Sequence, residues 1–352
     1  VVQRGQGMAA DIAEQPGVFA RLLDGENSAA IAGIAAEVAR RRPRSVMFVA
    51  RGTSDHAALY GAYLTEIRLG LPVASASPSA ITLYGARPDF TDTLVIGVSQ
   101  SGGSPDLTGV LEAARETGGL TLAVTNNPES PLARAAELSI DVAAGHERAV
   151  AATKSYTAEL LALLLLIEGV RAGDGRLPGD ERAALDKLPQ LAEDALADPA
   201  ADALAQRYRF ASRMVTTGRG YAYPTAREAA LKLMETSYLP ALAFSGADLL
   251  HGPLAMTDPD VPVLAVVGEG PGGRSMRDVV TRLAERRADV VTIGSEDVPG
   301  AAGRLAVPAV ADERHSALLD ILPLQKLALS LALARGEDPD APRGLKKVTT
   351  TL

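Results

Sequence analysis

Glu228, Lys232 and Glu235 stand at i, i+4 and i+7 in a helix-friendly stretch running from Thr225 to about Tyr238. At a helical repeat of about 100° per residue the three side chains project within roughly 60° of one another, as one ionisable stripe. A short loop further on, His251 sits in His-Gly-Pro, where glycine and proline fix the backbone around an imidazole. Two carboxylates, an amine and an imidazole this close in sequence are what an enzyme needs to move protons. The plainer reading is a solvated helix face with i,i+4 ion pairs followed by a turn histidine.

A second group has the chemistry of anion binding. Leu94 to Val98 reads as a buried strand, followed by Ser99-Gln100-Ser101-Gly102-Gly103-Ser104 and a helix through about Glu116. Hydroxyls and backbone amides at a helix start offer donors to phosphate oxygens without any lysine. A flexible serine-glycine turn is the alternative. Ser45 to Ala50 makes a similar strand, running into Arg51-Gly52-Thr53-Ser54-Asp55 and a helix from His56 to Ile67. There Thr53 and Ser54 offer hydroxyls to an anion, although plain N-capping accounts equally for their type.

The elements that position these groups alternate between strand and helix. Further strands are expected at Leu120 to Thr125 and Leu138 to Val142, followed by a leucine-rich core helix beginning near Ala151. The pattern then restarts at Met214 to Thr217, Val263 to Val267, Val290 to Gly294 and Leu305 to Val310, and closes with an apolar helix through Ala334. VARGTSDHAALYGAYL parallels TTGRGYAYPTAREAALKL, and LVIGVSQSGGSPDLTGVLEAA parallels VLAVVGEGPGGRSMRDVVTRLA. An internal duplication of one βα-rich domain explains both. In the second copy the serines have given way to glycine and Glu269, so only the first copy is expected to hold phosphate. The expected division is a disordered lead-in over 1–7, a first, phosphate-binding domain over 8–185, a second domain carrying the acid–base residues over 195–336, and a C-terminal active-site tail over 337–352.

At 352 residues, 47% apolar and 22% charged, the chain has material for two cores. A formal charge of −8 argues against a nucleic-acid partner. With no cysteine there is no disulfide, thiolate metal site or cysteine nucleophile, and the four histidines lack metal-ligand spacing. No metal and no cofactor are expected. The longest apolar run, Leu160 to Ile167, is too short for a membrane span, and no secretory leader pattern opens the sequence, so a cytoplasmic protein without membrane contact is the expectation. Only six lysines stand against 29 arginines; Lys232 lies on the ionisable stripe and Lys346 and Lys347 in the tail. Lysine can lose its proton and attack a carbonyl, which arginine cannot.

Seven short stretches, in this order and spacing, resemble the SIS (sugar isomerase) family, in particular the isomerase portion of glucosamine-6-phosphate synthases and the stand-alone deaminases related to it. They are Glu14-Gln15-Pro16, RGTS at Arg51 to Ser54, SQSG at Ser99 to Gly102, VAATK at Val150 to Lys154, EAALKLME at Glu228 to Glu235, HGPLA at His251 to Ala255 and PRGLKK at Pro342 to Lys347. The resemblance implies two tandem doubly wound (flavodoxin-like) α/β domains, dimerised, that bind a phosphorylated hexose or amino-hexose. It implies that Thr53, Ser54, Ser99, Gln100, Ser101, Ser104 and Val150 contact the substrate, with Glu147 at the sugar's edge. Glu235 would be the base between C1 and C2, supported by Lys232 and Glu228. His251, supplied by the neighbouring subunit of a homodimer, would open the ring, and Lys347 would form an imine with the open chain. Asp248-Leu249-Leu250 stands where the family often has Glu-Leu-Lys, Gly103 where it often has glutamate, Ser104 where threonine is commoner, and Ala152 where it has serine. The implied reaction converts glucosamine 6-phosphate to fructose 6-phosphate and ammonia. Alternatives are another amino-sugar phosphate of the fructosamine or galactosamine type, ammonia-dependent synthesis with a separate glutaminase, and a non-catalytic sugar-phosphate sensor.

Overall fold

Apolar, β-branched runs become two parallel sheets in a computed structural model that describes residues 4–345. The first holds β1 (Ser45–Val49), β2 (Val73–Ser75), β3 (Thr93–Ser99), β4 (Leu120–Thr125) and β5 (Leu138–Asp141), in the order β2-β1-β3-β4-β5. The second holds β6 (Met214–Gly218), β7 (Ala241–Ser245), β8 (Pro262–Val266), β9 (Asp289–Gly294) and β10 (Gly303–Ala306), in the order β10-β9-β8-β6-β7. Numbered within its own half, each sheet has the same order, 2-1-3-4-5, which is the flavodoxin-like doubly wound arrangement. All pairings are parallel, and the central strands β3, β4, β6 and β8 are buried almost throughout, as sheets covered by helices on both faces require.

The chain divides into two compact units. The first comprises Gly17–Glu147 and Lys154–Asp186; the second comprises residues 4–16, Arg148–Thr153 and Lys187–Leu345. Where the sequence suggests a lead-in over residues 1–7, a helix runs from Gln6 to Ala13. Its first amides are satisfied by the far end of the chain: Gly7 N and Met8 N each donate to the Asp340 carboxylate at 2.8 Å. Residues 8–16 thereby group with the second unit rather than with the first sheet. Gln15, fully buried, donates to Gln325 Oε1 (2.8 Å), and Gln325 donates to the Thr153 carbonyl (3.2 Å), which pins the 148–153 segment to the same unit.

The core helix expected from Ala151 starts at Lys154. Glu147 sets that start, as described below. Two strands, β2 and β7, are absent from the sequence reading; both are edge strands with half-exposed residues, so neither shows an apolar run. The helix Glu313–Ala334 is long and apolar enough to cross a membrane, but most of its apolar stretch is buried in the core.

Candidate functional site

In a 2-1-3-4-5 sheet the first and third strands send their connections in opposite directions, and the crevice beyond their carboxyl ends is the natural ligand position. In the first unit those ends carry Thr53 and Ser54 after β1, and Ser99 to Ser104 at the end of β3. Both turns are built around glycine. Gly52 (φ +56) precedes the helix Thr53–Leu64. Gly102 (φ +60) passes so close to Ser130 that a Cβ there would lie 2.1 Å from its hydroxyl. Only glycine fits.

The turn is internally braced. Ser99 Oγ accepts from Gly102 N (3.1 Å) and Ser101 Oγ accepts from Gly103 N (3.3 Å). Ser104 occupies the N-cap of the helix Pro105–Glu116 without a side-chain cap bond, which leaves its hydroxyl for another acceptor. Arg51 Nη2 meets the buried Asp106 carboxylate at 2.9 Å, tying the two turns together. Ser54 donates to Glu159 Oε1 (2.9 Å). Neither Asp106 nor Glu159 figures among the sequence candidates. A carboxylate in the first turn of the helix was a visible signal for Asp106, but Glu159 lies more than 100 residues from Ser54.

Glu147 lies in the loop before the helix Lys154–Ala172. It is buried, and its carboxylate accepts from Lys154 N (3.2 Å) and Ser155 N (2.9 Å) and from the Ser155 hydroxyl. It therefore caps the helix Lys154–Ala172. Val150 is half-buried in the second unit, in a segment where Asp11 accepts from Arg148 N and Ala149 N. Gln100 is half-buried, and its carbonyl accepts from Asn126 N (3.2 Å).

In the second unit the ionisable stripe lies on the helix Ala222–Ser237, and it is not solvated. Lys232 and Glu228 are fully buried; Lys232 Nζ lies 3.3 Å from Glu228 Oε1 and 2.6 Å from Glu235 Oε2. Burial alone would push the ammonium toward neutrality. The Glu228 and Glu235 carboxylates outweigh it and hold the Lys232 pKa above its ordinary value. Glu235 alone of the three reaches solvent, with 23% of its side chain exposed. The arrangement is a carboxylate at a surface, fixed from beneath by a charged lysine.

Two neighbours frame that helix end. Tyr238, in the left-handed conformation at its C-cap, accepts from Arg343 N (2.6 Å), and the Arg343 guanidinium lies 3.9 Å above its ring. The tail through Leu345 is thus anchored three residues beyond Glu235. Lys347 lies outside the described residues. His251 ends the short helix Gly246–Leu250, exposed, with Nδ1 2.8 Å from the Ala247 carbonyl. A carbonyl can only accept, so Nδ1 carries a hydrogen and Nε2 faces outward for proton exchange.

The equivalent crevice of the second sheet is filled from within. Glu313, the first residue of its helix, sends its carboxylate to the turn after β8, where it accepts from Gly272 N (3.3 Å). A Cβ at Gly272 would lie 2.2 Å from Glu313 Oε1, so the glycines that look like a phosphate turn are cut to fit a carboxylate. This, as well as Glu269, distinguishes the second copy from the first. Behind it Asp320 is buried beside Ser316; burial, reinforced by the Glu313 and Glu269 charges, lifts its pKa to about 8. Among the described residues no three His, Asp or Glu side chains converge to hold a metal ion.

Two sheets of one flavodoxin-like strand order, with a serine turn in the first unit and a buried Glu–Lys–Glu stripe on a helix of the second, define a duplicated α/β protein. The chain belongs to the SIS domain family, whose profile matches residues 41–169 and 208–335. It is 36% identical over 357 residues to glutamine–fructose-6-phosphate aminotransferase (isomerizing) of Gloeobacter violaceus, an alignment covering 97% of this chain and 58% of that protein. The chain thus spans a little over half the length of this curated relative. Among solved structures it resembles the C-terminal domain of glucosamine-fructose-6-phosphate aminotransferase from Francisella tularensis (TM-score 0.84, 25% identity, 96% of this chain and 98% of that one). Glucosamine-6-phosphate deaminase from Thermotoga maritima shares the fold (TM-score 0.78, 20% identity, 98% and 100%).

Proposed function

We propose that this chain is a phosphosugar isomerase that converts glucosamine 6-phosphate and water to fructose 6-phosphate and ammonia. The observation that carries the proposal is Glu235, a solvent-reaching carboxylate locked at 2.6 Å to a buried lysine. The relationship to isomerizing aminotransferases supports the substrate class. In this reading Ser54, Ser99, Gln100, Ser101 and Ser104, with Thr53, hold the 6-phosphate through hydroxyls and helix-start amides. His251 Nε2 delivers a proton to the ring oxygen and the C1 aldehyde opens. Glu235 takes the proton from C2 and returns it at C1, leaving a C2 imine. Lys232 and Glu228 act through Glu235. Lys347 would add to the C2 imine and expel the ammonia, and water would then hydrolyse the lysine imine to the ketone and free the lysine; His251 would come from a second copy in a homodimer.

The test is ammonia release from glucosamine 6-phosphate by the purified chain. Glu235→Gln should lower kcat by about 10²–10⁴-fold, the range for losing a general base, with the fold intact by circular dichroism. A glutamine variant that turns over normally overturns the assignment. The relatives' name favours one second reading, the reverse amination with ammonia supplied by another chain. Fructose 6-phosphate consumption with added ammonium distinguishes the preferred direction.

A further inference from the structure

At the opposite end of the first sheet from the serine turn lies a cavity of about 920 Å³ lined by four arginines and no acid: Arg40, Arg42, Arg68 and Arg171, with apolar walls that include Leu71 and Val170. Its place in the fold follows from the chain. Pro43 immediately precedes β1 and Leu71 precedes β2, so the cavity sits at the amino ends of the strands, whereas the serine turn follows the carboxyl end of β3. The five residues of β1 alone put about 16 Å between the two ends. The cavity is therefore a separate place on the molecule.

Three of its four cations are held in position. Glu168, fully buried, accepts from Arg68 Nε (2.6 Å) and Nη2 (3.3 Å) and from Arg171 Nε (2.7 Å). One carboxylate thus orients two guanidiniums and neutralises only one. Arg68 is presented by a five-residue π-helical turn, Thr65–Leu69, spliced onto the end of the Thr53–Leu64 helix. Such turns are rare and occur often at functional sites. Arg40 is paired with Glu37, which Arg41 shares. Arg42, left-handed at the C-cap of the helix Gly25–Arg41, has no side-chain hydrogen bond or ion pair among the described residues. A local excess of guanidinium in a chain of net charge −8 is a focused positive field.

We propose that this cavity binds a diphosphate-bearing small molecule. Guanidinium forks match phosphate oxygens in pairs. Four of them lining one cavity suit two adjacent phosphates better than one, and the volume is that of a small-molecule site.

The experiment is calorimetric titration of the full chain in 0.15 M NaCl with inorganic pyrophosphate, UDP and fructose 6-phosphate. Pyrophosphate is expected to bind once per chain. Arg42→Ala should weaken it about tenfold or more and Arg40→Gln should weaken it less, while both leave fructose 6-phosphate binding unchanged. UDP binding tighter than pyrophosphate would identify a nucleotide, with the apolar walls contacting its organic part; equal binding would identify the diphosphate group alone as the ligand. Absence of pyrophosphate binding, or binding that survives both arginine variants and disappears under saturating fructose 6-phosphate, overturns the proposal. Thermal midpoints of the two variants confirm that an exposed substitution has left the fold intact.

Discussion

Lys232 is the residue on which the charged stripe of the helix Ala222–Ser237 depends. It is buried between two carboxylates, and removing one member of a buried ionic group costs about 3–5 kcal/mol because the charges left behind lose their compensation. Lys232→Met should therefore lower stability by about that amount in urea titration, in addition to any loss of activity. Adding Glu228→Gln to it should recover part of the loss, since one stranded charge is then gone. A Lys232→Met protein as stable as the parent would show that the pair contributes nothing to the fold. The stripe was legible in sequence from its spacing; its burial was not, since nothing local distinguishes a charged helix face in water from one packed against a core.

Turns and strands decide where the serine hydroxyls and helix-start amides stand. Gly102 lets the serine turn pass within contact of Ser130, whose hydroxyl accepts from Ala133 N to cap the helix Pro131–Ala135. Gly102→Ala should displace the turn and weaken fructose 6-phosphate binding at least tenfold by calorimetry; unchanged affinity would take the turn out of the binding site. The serine turn and the β strands that carry it could be read directly, because buried parallel strands are short apolar runs and their helices follow immediately. Edge strands β2 and β7 could not, being half-exposed. Glu147 shows the other limit: its identity was visible, but its role as the cap of a helix starting seven residues later depends on a chain reversal that spacing does not encode.

On the scale of the whole molecule, Asp320 links stability to pH. Its folded pKa, about 8, lies well above the ordinary aspartate value of 3.8, so between those values the folded chain holds a proton that the unfolded chain has lost. That contribution is complete below the unfolded value and is lost as pH rises through about 8, at up to about 1.4 kcal/mol per pH unit. Asp320→Asn should melt higher than the parent at pH 8, and its melting temperature should fall less between pH 5 and pH 8. Parallel pH profiles for the two proteins would remove Asp320 from the account.

Duplicating a scaffold ordinarily doubles what it can hold. Here a single side chain breaks that arithmetic, because Glu313 is covalently tethered and already occupies the second turn. Helix-start amides of the second half serve as a latch for the long helix Glu313–Ala334, and that half presents Glu235 from another of its helices instead.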